Sequence, residues 1–143
     1  MSDLPPVPVA GIVGTNPEPF HATTVSASLT VGDLPKSLAW YRDVLGFTVT
    51  REFERAGKVF AASLRAGAVP LLITQDDGTR GSDRVKGVGF SLQFTTAQNI
   101  DELAALIQAR GGTLESQPAD VWGARVFRLR DPDGFKLVIS SER

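Results

Sequence analysis

Residues 25–47, VSASLTVGDLPKSLAWYRDVLGF, decide the fold. Their first seven positions alternate. Val25, Ala27, Leu29 and Val31 fall on one side, and Ser26, Ser28 and Thr30 on the other, as in a strand with one buried face. Asp33 and Pro35 then open a helix. Leu34, Leu38, Tyr41 and Leu45 follow at spacings that set one helical stripe, and Gly46 suits the left-handed residue that ends it. A strand has passed into a helix that must cover an apolar sheet face.

Outward from this unit, Phe47 to Phe53, Val59 to Leu64 and Val69 to Thr74 read as three further strands. The pattern then restarts. Gly89 to Phe94 alternates, with Phe90, Leu92 and Phe94 opposite Ser91 and Gln93. Ile100, Leu103 and Ile107 stripe a second helix that stops at Gly111-Gly112. Thr113 to Ser116, Ala124 to Arg130 and Phe135 to Ser140 complete the second set. Asp131-Pro132-Asp133-Gly134 between the last two has the residue order of a type I turn. A strand–helix–strand–strand–strand unit thus occurs twice, Gly89 standing 63 residues beyond Ser26. The expected fold is α+β: two βαβββ modules, about 23–77 and 87–141, with mixed, mostly antiparallel sheets around a cleft. Each helix covers one sheet face. The remaining faces, with Ser26, Ser28, Thr30, Ser91 and Gln93, would enclose a polar cleft suited to a small molecule. Residues 1–22 read as an arm holding five of the nine prolines, with Val9 to Val13 as an anchor.

Composition narrows the function. Fifteen basic and sixteen acidic residues give a net charge of −1, no basis for nucleic acid or an acidic membrane as partner. Cysteine is absent, which removes disulfides, thiolate metal sites and a cysteine nucleophile. No apolar run is long enough to span a bilayer, and MSDLPPVPVAGIVG has no basic segment before an apolar one. A cytoplasmic protein is expected. His21, the single histidine, precedes the first strand and supports no Ser–His or Cys–His nucleophile. The charged, glycine-rich segment 75–87 lacks the GK[ST] of a phosphate loop and reads as a linker or a flap over the cleft.

VGDLPKSLAWYRDVLGF (31–47) and WGARVFRLRDPDGFKLVIS (122–140) resemble the first strand–helix junction and the last hairpin of the vicinal oxygen chelate superfamily, which includes glyoxalases, bleomycin-resistance proteins and ring-cleaving dioxygenases. LLITQDDGTRGSDRVKGVGFSLQF (71–94) resembles one subgroup of it. The resemblance implies a divalent metal held by His and Glu on cleft-facing strands, polarising vicinal substrate oxygens. It places the ligands at Ser26, Leu72, near Gly89, and Val138, and none of these suits a divalent metal. A one-residue shift turns each side chain to the other face and finds no His or carboxylate. The expectation is therefore no metal, no cofactor, and a homodimer that binds a small acidic or aromatic molecule. The alternative is a lyase, isomerase or dioxygenase-like enzyme with a non-standard metal site. The expected binding residues are Ser26, Ser28, Ser91, Gln93, Trp122, Arg125 and Phe127. Trp122, Arg125 and Phe127 would form one wall, with the Arg125 guanidinium as the anion contact. Lys136 faces the same cleft by its alternation.

Overall fold

The computed structural model describes residues 19–81 and 83–143. The proline-rich arm and its Val9–Val13 anchor lie outside the described residues, apart from positions 19–22, which are exposed. Module one consists of β1 (Ala27–Val31), α1 (Leu34–Ala39), β2 (Thr48–Arg55), β3 (Lys58–Ala66) and β4 (Val69–Gln75). Module two consists of β5 (Ser91–Thr96), α2 (Ile100–Ala109), β6 (Leu114–Val121), β7 (Ala124–Arg130) and β8 (Lys136–Ser141). The sheets have the same topology, β1-β4-β3-β2 and β5-β8-β7-β6. The β1–β4 and β5–β8 pairs are parallel, and the others antiparallel.

Side-chain caps fix where the helices begin. The Asp33 carboxylate accepts from Lys36 N at 3.1 Å and Asn99 Oδ1 accepts from Glu102 N at 2.9 Å, each satisfying a first-turn donor. After α1 the chain continues as a π-helical turn, Trp40–Val44. Gly46 then adopts a φ of +85°, a conformation that costs glycine little. Gln75, at the end of β4, holds the β1–α1 junction from across the sheet. Its Oε1 accepts from Leu34 N and its Nε2 donates to Gly32 O, both at 2.8 Å.

One core runs through both modules. It joins Leu29, Val31, Leu71 and Ile73 of the first sheet to Phe127, Leu129, Leu137 and Ile139 of the second, with Tyr41, Phe47, Ile100 and Ile107 between. Phe47 meets Phe94 edge-on at 5.9 Å between ring centroids. The approach is close: a Cβ on Gly112 would stand 2.6 Å from Ile107 Cγ2 and 2.9 Å from Val44 Cγ1. The Asp131–Gly134 turn reaches across as well. Gly134 N donates to Asp131 O, as a type I turn requires. The turn's side chains engage module one: Tyr41 Oη donates to Asp131 Oδ2 at 2.8 Å, and Gly32 N donates to Asp133 Oδ1 at 2.9 Å. Among the described residues, no helix is long and apolar enough to cross a membrane.

Candidate functional site: the outward sheet faces

The alternation that buries Leu29 and Val31 turns Ser28 and Thr30 away from the core, and strand pairing carries that assignment across the sheet, because paired residues share a face. In the first sheet Ser28 pairs with Leu72, Leu72 with Ser63, and Ser63 with Arg51, giving one row. In the second sheet the corresponding row is Gln93, Val138, Arg128 and Ser116. The neighbouring row begins Ser91, Lys136, Arg130. Both outward faces thus mix hydroxyls, long cations and a few aliphatic side chains.

Of the expected residues, the structure brings Ser28 onto the outward face of the first sheet and Ser91 and Gln93 onto that of the second. Ser26 is exposed just ahead of β1, its Oγ donating to Ala27 O at 3.5 Å. Leu72 and Val138, two of the positions where the resemblance implies a metal ligand, lie in the central rows but offer no donor atom. Gly89 lies before β5 with a φ of +72°. The residues present do not fit a divalent metal at that place. Among the described residues, no three His, Cys, Asp or Glu side chains gather as a metal site would need.

The expected wall of Trp122, Arg125 and Phe127 does not form. Phe127 is 0% exposed and belongs to the shared core. It pairs with Ile139, so an Ile139 that buries a helix takes Phe127 with it. Arg125, two residues earlier on the same face, reaches toward α2. Its guanidinium grips the Asp101 carboxylate with two bonds, 3.0 and 2.9 Å, and touches Asp120 at 3.3 Å. The guanidinium's bonds to Asp101 and Asp120 hold it charged, and the Arg125 bond draws the Asp101 carboxyl below its ordinary range. Trp122 is 88% exposed at the β6–β7 hairpin with a φ of +47°. Strand alternation alone left two faces open for β7; the tight Asp131–Gly134 hairpin, pairing Arg130 with Lys136, was the signal that decides between them.

The residues missed as binding candidates are those facing the other way on β7. Arg128 stands beside Ser116, whose Oγ is enclosed with no hydrogen-bond partner among the described residues. The outward face of the second sheet also carries a small apolar cluster, Ala124, Val126 and Val138, packed with Val121 and separate from the main core. A cavity of about 360 Å³ at the edge of this face is lined by Gly87, Val88, Gly89, Phe90, Ser91, Arg130 and Lys136. A second, of about 310 Å³, is lined by Thr30, Thr74, Gln75, Asp76 and Asp77 of module one with Thr79, Arg80 and Arg84 of the linker. A larger apolar one, of about 700 Å³, opens between the modules on the helix side, with Phe47, Phe94, Leu106 and Ile139 in its lining.

The comparisons agree with this architecture. The profile of the Glyoxalase/Bleomycin resistance protein/Dioxygenase superfamily matches residues 21–139. No curated protein matches the chain. Among solved structures, TioX from Micromonospora sp. ML1 is similar at a TM-score of 0.68 and 18% identity, over 85% of this chain and 100% of that one. A superfamily member from Sphaerobacter thermophilus gives 0.66 and 25%, over 85% and 98%. The lactoylglutathione lyase from Agrobacterium tumefaciens gives 0.65 and 19%, over 85% and 95%. With the match reaching from ahead of β1 into β8 and the duplicated topology in place, the chain belongs to the glyoxalase/bleomycin-resistance/dioxygenase superfamily.

Proposed function

We propose that this protein binds a small molecule against its outward sheet faces, in the manner of the bleomycin-resistance branch, and that it does so without a divalent metal. The observation that carries the reading is the chemistry of the central rows. The places where a metal would be held are occupied by Leu72 and Val138, while hydroxyls, an amide and cations surround them. Hydrocarbon at those places removes the ligands and leaves a surface that recognises by shape, hydrogen bond and charge.

A second copy of the chain completes the cleft in this reading. The apolar faces of both sheets are consumed by one internal core. The cavity of about 360 Å³ beside the outward faces is lined by module two alone, and that of about 310 Å³ by module one and the linker. Apposing the outward face of one copy to that of another encloses the surface and covers the Ala124, Val126 and Val138 cluster. Closed two-fold dimers are the commonest way to do this.

Three measurements on the purified full-length chain test the proposal. Elemental analysis is expected to find no stoichiometric Ni, Zn, Fe or Mn. Light scattering is expected to give twice the chain mass. A thermal-shift screen of small molecules is expected to find binders that raise the melting temperature, because ligands of the native state stabilise it. One equivalent of tightly held transition metal, together with a melting temperature that falls on chelation, refutes the metal-free reading and favours an enzyme with a non-standard metal site. A monomer at micromolar concentration refutes the shared cleft.

A further inference from the structure

The chain as a whole is almost neutral, with a net charge of −1, yet its charges are sorted by face. The outward rows themselves contain no carboxylate. Asp101 lies in the first turn of α2 against Arg125, Asp43 beside Arg42, and Asp76 against Lys86 and Arg84 in the linker. The outward rows hold Arg51 on the first sheet and Arg128, Arg130 and Lys136 on the second. Only Arg130 has an acid beside it, Glu115 at 2.7 Å, and it also donates to Gly134 O at 3.0 Å. Its bond is the main reason the Glu115 carboxyl falls below its ordinary range, with smaller pulls from Lys136 and Arg128. Arg128 and Lys136 are half-buried and make no ion pair or side-chain hydrogen bond among the described residues, feeling Glu115 only at longer range. They lie in adjacent rows, Arg128 pairing with Val138 and Lys136 with Arg130.

Resting on the binding role proposed above, we infer that the ligand is a small organic anion, its carboxylate or phosphoryl group held between Arg128 and Lys136 and its apolar body against Phe90. A partly desolvated guanidinium and ammonium with no directly bonded counter-charge gain most from an oxyanion, since charge-assisted bonds are about twice as strong as neutral ones. The neighbouring cavity supplies the rest. Lys136 and Ser91 line its polar side, Phe90 and Val88 its apolar side, and its volume of about 360 Å³ takes one small molecule. The Ser116 hydroxyl beside Arg128 on the same row is enclosed and has no hydrogen-bond partner among the described residues.

The experiment titrates the full-length, nitrogen-15-labelled chain with four probes of one shape: 2-naphthoate, 2-naphthyl phosphate, 2-naphthylmethanol and 2-naphthylmethylamine. Both anions are expected to shift the amides of Ser91, Gln93 and Val138, with the amine and the alcohol about tenfold weaker or worse. Arg128→Gln and Lys136→Gln are each expected to weaken naphthoate about tenfold with the alcohol unaffected, and Arg125→Gln to leave naphthoate unchanged. Should either glutamine variant melt below the parent protein, sodium chloride titration of the parent decides: anion affinity falling with salt supports the inference, and a flat response overturns it. The alcohol or amine binding this face as tightly as the anions overturns the charge preference and leaves the binding role standing. No shift on either outward face from any probe overturns both.

Discussion

Tyr41 and Asp131 show how one pair of residues ties the modules together. The phenol lies fully buried, and burial together with the neighbouring carboxylate keeps it protonated. Asp131 accepts from that hydroxyl and from the backbone N–H groups of Asp133 and Phe135, both at 2.9 Å. Burial nevertheless outweighs these bonds and lifts the Asp131 carboxyl above its ordinary range. A carboxyl raised in the folded state favours the native structure most below its unfolded value, about 3.9, and loses that contribution as pH rises through the folded value. Asp131→Asn is therefore expected to gain stability relative to the parent between pH 4 and 7, measured by urea unfolding at each pH. A difference independent of pH contradicts the assignment. Tyr41→Phe strands a buried acceptor and is expected to cost about 1–3 kcal/mol. At this scale much was legible and some was not. Ser28, Ser91 and Gln93 follow from period-two alternation because their strands have one unmistakably apolar side. Arg125 and Phe127 did not, because β7 is apolar on both faces: Ala124, Val126, Phe127 and Leu129 are all buried.

Among the elements, β6 and the linker departed most from expectation. The strand expected over 113–116 continues to Val121 through Gln117-Pro118-Ala119-Asp120, a stretch whose proline and acid argue against a strand. Its place at the sheet edge, where the pairing with β7 is irregular between Ser116 and Ala119, explains the tolerance, since prolines within sheets are confined to edge strands and bulges. The linker that follows β4 reads in sequence as a solvated segment, yet it is pinned. Asp76 accepts from Lys86 Nζ at 2.6 Å and from Arg84 at 3.2 Å, while Gly78 N donates to its other oxygen. The Lys86 bond, with the Gly78 amide and Arg84 behind it, holds the Asp76 carboxyl far below its ordinary range. The pin therefore persists at neutral pH and releases only in strong acid, as pH falls through that depressed value. Asp76→Asn is expected to speed tryptic cleavage after Arg80 and Arg84 in the folded protein, read by mass spectrometry of timed digests. An unchanged cleavage rate shows that the ion pairs do not restrain the segment. Periodicity could not reveal this, because the restraint is ten residues long and purely electrostatic.

For the molecule as a whole, the duplicated topology was legible from the sequence because each module repeats one pattern. The relation between the modules was not. Alternation says which side chains leave the core but not whether two cores merge, and here they do. Tyr41 reaches Asp131, Phe47 meets Phe94, and Val44 and Ile107 close over Gly112. The sequence leaves open whether the polar faces meet within one chain or across a dimer; the shared core joins the modules through their apolar faces. Calorimetry of the full chain is accordingly expected to show one transition, with equal calorimetric and van't Hoff enthalpies. Two separable transitions contradict a common core. The same seam governs what becomes of the chain when it is cut. A break in the linker parts the polypeptide but leaves Phe47 and Phe94, Tyr41 and Asp131 each lacking its counterpart. Fragments 1–80 and 81–143, produced apart, are expected to stay unfolded alone and to regain the native spectrum on mixing: a duplicated protein behaving as a natural pair of complementation halves.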